Sequence, residues 1–308
     1  MHIAIIGAGG IGGFLAARLL SAGLDVSILA RGAHLEAIRK SGLRLIEPEG
    51  EILVHPPKIS ADPGDIGGAD MVICAVKGPQ MTQAAEIARQ WLKPDGVALP
   101  FQNGVGATEA LAKEVGIDRA LVGIAKIFCN ITKPAVLTRY GGPGAFIIGD
   151  HHGSQDKEVV QEIRDAFGKA GVDAPRVPDV NVALWEKFLL FNAASSMTAG
   201  ARCRLGQIRE NPEMLSVFRH LVAEAYAVAL ARGVALDQDS VERTIEIIQN
   251  LPADARTSMA HDIELGRPLE LDSVAGALVR MGRESGVPTP YSHAFVAALT
   301  PFKEGTNA

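Results

Sequence analysis

The sequence predicts an α/β domain built on a doubly wound parallel sheet, followed by an all-helical domain. In the first half, short apolar runs alternate with segments of helical periodicity, a pattern typical of a parallel sheet covered by helices on both faces. Two prolines then interrupt the segment PRVPDV at 175–180, and strand signals nearly vanish after it. We therefore place an α/β domain at 1–178 and a helical domain at 179–308.

The elements follow from these periodicities. In the first domain we expect strands at 2–6, 25–30, 69–77, 96–104, 121–131 and 134–149, the last two forming a hairpin or meander, and helices at 10–22, 79–92, 106–114 and 155–170. A further strand–helix unit between residues 30 and 69 is less clearly patterned. In the second domain we expect helices at 181–199, 212–232, 238–249, 255–264, 270–285 and 290–299, and a disordered tail at 303–308.

Composition narrows the function. The 308 residues are 47% hydrophobic and 21% charged with a net charge of −5, and no basic run of five or more occurs, so nucleic acid or an anionic membrane is not expected as a partner. No uncharged apolar stretch of 18 residues or secretory signal is evident, and the three scattered cysteines fit a reduced, cytoplasmic protein. The eight histidines lack metal-ligand spacing, so no metal is predicted.

A glycine-rich turn follows the first predicted strand. The segment matches G-x-G-x-x-G between a strand and a helix, the context in which this motif binds the pyrophosphate of a dinucleotide in Rossmann domains. The glycines permit a tight turn, close approach of the backbone and close packing of the helix, whose N-terminus faces the phosphates. The candidate residues are Gly7, Ala8, Gly9, Gly10, Ile11 and Gly12.

The end of the second strand favours NADP(H) over NAD. An acidic residue there would bond the ribose hydroxyls of NAD, but this chain has Arg31, whose guanidinium suits a 2′-phosphate. The alternative is a solvated arginine beside a loosely held NAD.

Polar residues also follow the third and fourth strands of the predicted sheet. Lys77 ends the strand VICAVK, and Gln102, Asn103 and Gly104 follow the next one. The carboxyl ends of parallel strands line the ligand crevice of such sheets, so we expect contacts with the cofactor, and from Asn103 with the substrate as well. The alternatives are a lysine that ends a strand in solvent and an Asn-Gly turn without a ligand.

A second group of polar residues lies in the helical half. Lys187 stands in an otherwise apolar helical run, where a cation must reach solvent, pair or serve a site. Ser258 and Asp262 share a helix face, and Glu270 begins the next predicted helix, where the helix dipole alone would explain an acid.

These blocks together resemble the ketopantoate reductases (2-dehydropantoate 2-reductases). The resemblance covers nearly the whole chain and rests on GAGGIGG, Arg31, AVK at 75–77, QNG at 102–104, LWEK at 184–187 and TSMAHDIELGRPLELD at 257–272. It implies a Rossmann domain followed by a helical domain, as in 6-phosphogluconate-dehydrogenase-like proteins, with the active site in the cleft between them.

The resemblance also implies roles. Lys187 corresponds to the catalytic general acid, and Asn103 to an asparagine that contacts cofactor and aligns that lysine. Glu270 corresponds to an acid that contacts the cofactor ribose and supports the site, and Ser258 to a serine that binds the substrate carboxylate. Cys129 falls near a cofactor-contacting backbone position, with a looser match.

Three positions depart from the family pattern. The family commonly has asparagines where this chain has Phe191, Ser195 and Ala255, and Asn192 stands one residue late, about 100° around a helix. Ser195 stays a candidate substrate contact. These departures leave reductase chemistry better supported than the identity of the acid.

The resulting hypothesis is NADPH-dependent reduction of ketopantoate to pantoate, a step of pantothenate biosynthesis. One alternative is reduction of another branched or bulky 2-oxo acid, and another is a non-catalytic NADP(H)-binding redox sensor. The apolar helices fit either a homodimer interface or an internal core.

Overall fold

The computed structural model describes residues 1–305, except for the side chains of residues 142 and 143. These residues form two compact units. The first comprises Met1–Gln102 and Ala107–Val180, and the second comprises Asn103–Gly106 and the chain from Asn181 onward. The short segment Asn103–Gly106 therefore groups with helices that lie far away along the chain, which no sequence pattern indicated.

A parallel sheet forms the centre of the first unit. The strands of this unit are β1 (His2–Ile6), β2 (Asp25–Leu29), β3 (Leu43–Glu47), β4 (Gly50–Val54), β5 (Lys58–Ser60), β6 (Ala69–Cys74), β7 (Leu92–Pro100), β8 (Val122–Lys133) and β9 (Val136–Gly149). The sheet runs in the order β5-β2-β1-β6-β7, with every pair parallel. Its inner strands are mostly apolar, as expected for strands that are buried on both faces.

The helices of the first unit are α1 (Gly10–Ser21), α2 (Gly32–Ser41), α3 (Met81–Trp91), α4 (Ala107–Val115) and α5 (Glu158–Lys169). Helices α3 and α4 pack on one face of the parallel sheet through residues such as Ala85 and Leu111. Helices α1 and α5 contribute to the core on the other face, through Leu15 and Phe167. Helices on both faces confirm the predicted doubly wound architecture.

A second sheet covers α1 from the side away from the parallel sheet. Its order is β4-β3-β9-β8, in which β3 and β9 are parallel and the β3–β4 and β8–β9 pairs are antiparallel. The hairpin predicted for 121–149 is confirmed. The strand–helix unit expected between residues 30 and 69 is instead a helix, the β3–β4 hairpin and the short β5. Only one face of β3 and β4 is buried, so their apolar signal is weaker than that of a parallel strand.

A buried carboxylate fixes α1 to the second sheet. The side chain of Glu47 at the end of β3 is 3% exposed and accepts from Arg18 of α1 at 2.5 Å and from Arg139 of β9 at 2.9 Å. Arg139 also contacts the exposed Glu49, and these carboxylates raise the pKa of the Arg139 guanidinium. A carboxylate with two guanidinium partners joins three segments that are distant in sequence.

The second unit is helical, as predicted. Its helices are α6 (Val180–Gly200), which begins at the last residue of the first unit, α7 (Leu205–Glu210), α8 (Pro212–Ala231), α9 (Ser240–Asn250), α10 (Ser258–Glu264), α11 (Ala275–Ser285) and α12 (Pro290–Leu299). Residues 192–199 of α6 are all buried, so this helix forms the centre of the unit. Phe188, Phe218 and Leu278 belong to its main core.

Two helix boundaries in this unit differ from the sequence prediction, and α7 was not predicted. Helix α10 begins at Ser258 rather than at 255, because the carbonyl groups of Ala253 and Ala255 accept from the first N–H groups of α7. Helix α11 begins at Ala275 rather than at 270, after a turn in which Ser273 donates to the carbonyl of Glu270. Tertiary hydrogen bonds replace the first predicted turn of α10, and a local hydrogen-bonded turn replaces that of α11.

Within residues 1–305, one helix, Pro212–Ala231, is long and apolar enough to cross a membrane by length and composition. Phe218, Leu221 and Val228 on this helix belong to the core of the second unit. Its Glu224 accepts from the backbone N–H groups of Tyr291 and Ser292 at the start of α12. The helix therefore makes both apolar and polar contacts inside the unit.

The predicted disordered tail is partly ordered. The backbone carbonyl of Lys303 accepts from the Leu269 N–H at 2.8 Å, and the Lys303 ammonium pairs with Asp272 at 2.5 Å. The prediction of disorder is therefore wrong for residues 303–305. The remainder of that prediction, residues 306–308, lies outside the described residues.

Candidate active site

The glycine-rich turn lies between β1 and α1. Gly7 has a φ of +100° and donates its N–H to Leu29 of β2 at 3.0 Å, which fixes the turn to the neighbouring strand. A Cβ on Gly12 would lie 1.9 Å from the Gly7 carbonyl oxygen, so glycine is required for close packing. Gly9 precedes α1 without a side-chain cap, and a Cβ added there would meet open space. The first N–H groups of α1 are thus available to an anion.

The second sheet also constrains this turn. A Cβ on Gly10 would lie 1.9 Å from the carbonyl oxygen of Cys129 on β8. The start of α1 therefore packs directly against that strand, a contact between segments 119 positions apart that the motif itself does not encode. Ala8 is buried and Ile11 is half-buried against the same core.

An open pocket of the first unit extends from this turn to Arg31. Its apolar floor is formed by Ile6, Leu29, Ala30, Val76, Ala84 and Ile87. Its rim is formed by the backbone of Gly7 and by the polar side chains of Arg31, Gln80 and Gln83. Arg31 directly precedes α2, and its Nη2 donates to Oε1 of Gln83 on α3 at 3.2 Å. Sequence reasoning missed Gln80 and Gln83, which follow Lys77 closely in the chain but carry no distinctive motif.

Gln102 connects the ends of two parallel strands. Its Nε2 donates to the carbonyl groups of Cys74 at 2.9 Å and Val76 at 3.2 Å, while its Oε1 is buried without a hydrogen bond. The amide donors therefore hold β6 and the segment after β7 together. Lys77 is exposed just beyond β6 and does not line the pocket described above. The cofactor contacts expected of both residues stay predictions.

A chain of three polar side chains forms in the second unit. Lys187 of α6 donates from Nζ to Oδ1 of Asn103 at 3.4 Å, and Asn103 donates from Nδ2 to Oε2 of Glu270 at 3.4 Å. An ammonium only donates and a carboxylate only accepts, so these neighbours fix which end of the amide faces which partner. The structure thus brings together the three residues to which the sequence assigned the chemistry. Glu270 is 8% exposed.

Gly104 allows this chain to form. Its φ is +107°, and a Cβ at this position would lie 2.2 Å from the carbonyl oxygen of Ser273, in the turn that follows Glu270. Only glycine allows the segment after Asn103 to approach that turn so closely. Gly104 therefore positions the backbone of Asn103 against Glu270.

The side of α6 that carries Lys187 continues with Phe191 and Ser195. The Nζ atom of Lys187 lies 6.0 Å from the centre of the Phe191 ring, at the outer limit of a cation–π contact. Ser195 is fully buried, and its Oγ makes no hydrogen bond. Asn192 is fully buried as well, with both amide atoms unpartnered, and on this unbroken helix it points about 100° away from Phe191.

Ser258 is the exposed first residue of α10. The residue before it, Thr257, shares a hydrogen bond of 2.9 Å with Thr198 of α6, three turns along from Lys187. The structure therefore places Ser258 beside the same helix as Lys187, further along it. Asp262, predicted to share its helix face with Ser258, is buried.

The three cysteines are free and buried, in agreement with the structural role expected of them. Burial raises the pKa of the Cys74 and Cys129 thiols to about 12, so both are protonated near neutral pH. Over the described range 1–305, no three His, Cys, Asp or Glu side chains come together in a group that could hold a metal ion.

A parallel sheet with a glycine turn before its first helix, joined to a helical unit with a partly buried lysine–amide–carboxylate chain, defines a dinucleotide-binding oxidoreductase fold. Two family models match this chain: "Ketopantoate reductase PanE/ApbA" over residues 3–153 and "Ketopantoate reductase PanE/ApbA C terminal" over residues 179–303.

Individual relatives agree with these matches. The chain is 32% identical to a 2-dehydropantoate 2-reductase of Mesorhizobium japonicum over 97% of both chains, and 31% identical to one of Halobacterium salinarum over 94% of this chain and 95% of that one. A crystal structure of a PanE/ApbA family ketopantoate reductase from Ralstonia eutropha superposes with a TM-score of 0.89 at 27% identity, covering 98% of each chain. The chain belongs to the ketopantoate reductase family, as the sequence blocks predicted, and is an oxidoreductase.

We expect Gly104→Ala to lower the free energy of unfolding by more than the backbone strain of an alanine at positive φ accounts for. A nonglycine residue in this region costs about 1–2 kcal/mol, and a Cβ forced against the Ser273 carbonyl adds about 1–3 kcal/mol. The free energy of unfolding in urea measures the effect. Gly116→Ala is the matched control, because Gly116 has a φ of +88° but open space around its Cβ. Equal losses in the two variants would contradict the packing role of Gly104.

Proposed function

We propose that this protein reduces ketopantoate to pantoate with NADPH, with residues 1–178 as the NADP-binding domain and residues 179–308 as the catalytic domain. The observation that carries the proposal is the chain from Lys187 through Asn103 to Glu270 in a family member. It places an ammonium among apolar neighbours with its donors oriented, as a carbonyl reduction requires.

The residues of the first unit fit the cofactor. The glycine turn offers unpaired N–H groups of α1 to a pyrophosphate, and the pocket beside it has an apolar floor for an adenine ring. Arg31 stands at the rim of this pocket, where its guanidinium suits a 2′-phosphate. We assign Gly7–Gly12 and Arg31 to this binding, together with Lys77 and the segment Gln102, Asn103 and Gly104. When bound, the nicotinamide supplies a hydride.

Lys187 is the proposed general acid. As hydride reaches the keto carbon, negative charge develops on the carbonyl oxygen, and the Lys187 ammonium donates a hydrogen bond and then a proton to it. Asn103 accepts from the ammonium through Oδ1 and so orients the remaining donors toward the substrate. Glu270 fixes the amide of Asn103 and is assigned a contact with the cofactor ribose. Ser258 and Ser195 are assigned to the substrate, Ser258 to its carboxylate.

A second candidate is the reduction of another branched or bulky 2-oxo acid, and Phe191 favours it. The ring lies one turn from Lys187 and within 6.0 Å of its ammonium, so this side of the helix is apolar next to the proton donor. A substrate group packed there gains from an apolar surface and finds no hydrogen-bonding partner for a hydroxyl. The partner remains a small-molecule acid in both candidates. Assembly as a homodimer and a cytoplasmic location stay predictions.

We expect Lys187→Ala to lower kcat for ketopantoate reduction by roughly 10²–10⁴, the usual effect of losing a general acid, while NADPH still binds. Lys187→Arg keeps the positive charge, but guanidinium does not release its proton, so kcat should stay well below that of the wild type. Steady-state kinetics and fluorescence titration of NADPH measure the two effects. Near-normal turnover of Lys187→Ala would remove this residue from the mechanism. Tight NADPH binding by the wild type without turnover of any oxo acid would point instead to a redox sensor.

We expect Arg31→Ala to raise KM for NADPH about 10- to 100-fold and to leave KM for NADH nearly unchanged. A hydrogen bond to a charged group contributes about 1.5–3 kcal/mol, and only NADPH carries the 2′-phosphate. Arg39→Ala is the control, since Arg39 lies in the last turn of the same helix and pairs with Glu36. An equal rise in KM for NADPH and NADH would show that Arg31 does not bind the 2′-phosphate.

A pair of substrates separates the two candidate functions. We expect a higher kcat/KM for ketopantoate than for its analogue with a methyl group in place of the hydroxymethyl group. A preference of tenfold or more for the analogue would favour the second candidate. Phe191→Asn should move the ratio toward ketopantoate by up to about tenfold, because an amide supplies a hydrogen bond to the hydroxyl. Phe191→Leu is the control that keeps the position apolar.

A further inference from the structure

His34 contacts a turn that lies far away in the sequence. It is the third residue of α2, and Arg31 directly precedes this helix. The Nδ1 atom of His34 accepts a hydrogen bond from the backbone N–H of Ala135 at 3.1 Å. Ala135 belongs to the turn between β8 and β9, about a hundred residues further along the chain.

Ala135 adopts a backbone conformation that needs support. Its φ is +65°, in the left-handed region, where a residue with a Cβ is disfavoured by about 1–2 kcal/mol. It is 4% exposed, so its backbone groups have little access to solvent. Its carbonyl accepts from Arg44 N–H of β3 at 2.9 Å, and its N–H donates to His34. The imidazole is therefore one of the groups that hold this turn.

The other edge of the imidazole faces the glycine turn. The Nε2 atom of His34 is buried without a hydrogen bond, and the nearby backbone of Ala8 acts to raise the pKa of the ring. Burial has the larger effect and lowers the pKa of His34 below its usual range. A neutral ring that accepts at Nδ1 carries its proton on Nε2, on the edge toward Ala8. One side chain thus lies between the glycine turn and the β8–β9 turn.

Helix α2 needs such a contact at its first turn. Gly32, directly after Arg31, has a φ of +59°, and a Cβ there would meet nothing within 4 Å. The junction between β2 and α2 is therefore not fixed by packing at this residue. The Arg31 guanidinium itself is exposed and reaches Gln83 on α3. The first fixed side chain after this junction is the half-buried His34.

We propose that His34 is a positioning residue that fixes the first turn of α2, and with it Arg31, relative to the glycine turn. The proposal rests on the proposed preference for NADPH. His34 acts through Arg31 and makes no contact with the cofactor itself. Its loss should therefore reduce discrimination between NADPH and NADH rather than the chemical step.

The decisive measurement is the ratio of kcat/KM with NADPH to kcat/KM with NADH. For His34→Leu we expect this ratio to fall about tenfold, as the 2′-phosphate contact of Arg31 weakens, while kcat at saturating NADPH stays within about twofold. His34→Asn should restore the ratio, because its Oδ1 can accept from Ala135 N–H as Nδ1 does. If the leucine variant does not fold, His34→Ala removes the same acceptor and carries the same expectation.

A double variant tests the route through Arg31. In an Arg31→Ala background, His34→Leu should change the cofactor ratio less than twofold, because the residue it positions is absent. A ratio unchanged by His34→Leu in the wild-type background would overturn the proposal. An equal fall of the ratio with and without Arg31 would overturn it too. A wild-type ratio near one would instead overturn the proposed cofactor, and the role of His34 with it.

Discussion

The ammonium of Lys187 can only donate hydrogen bonds, and much of the second unit is arranged around this constraint. Helix α6 is largely buried, so the charge needs an acceptor nearby, and Asn103 supplies its amide oxygen. The other end of that amide must then donate, and the carboxylate of Glu270 accepts. The order of the three groups follows from their hydrogen-bonding chemistry. It also explains why the segment Asn103–Gly106 groups with the helices rather than with the strand that precedes it.

The first unit depends on backbone groups in a comparable way. The anion site proposed for it consists of N–H groups at the start of α1, so the direction of that helix matters more than any single side chain. The parallel sheet fixes one side of α1, and the second sheet fixes the other through Gly10 and the ion pair of Arg18 with Glu47. The second sheet thus stabilises the glycine turn that it covers.

The residues around Lys187, the proposed proton donor, are less uniform than the hydrogen-bonded chain that orients it. Phe191 brings an aromatic ring to the ammonium, while Ser195 and Asn192 bury polar atoms without partners. Orienting the Lys187 ammonium requires only a hydrogen-bond acceptor, so it does not restrict which residues occupy positions 191, 192 and 195. Recognition of an acid depends on the groups that surround its side chain. In the proposed mechanism, reaction type and substrate identity therefore depend on different parts of the same helix.

The sequence by itself determined the fold class, the glycine turn, most helix positions and the family, because these depend on local periodicity and on motifs with fixed spacing. It also indicated Lys187 within an apolar run, Asn103 after a strand and Glu270 at the start of a predicted helix, and the family resemblance connected the three. Only the tertiary structure decided that the β3–β4 hairpin joins a second sheet, and that α10 and α11 begin later than their periodicity suggests. It likewise decided that Gln80, Gln83 and His34 lie beside the glycine turn or its pocket. These features depend on hydrogen bonds and packing between segments far apart in the chain, and a local pattern carries no information about such contacts.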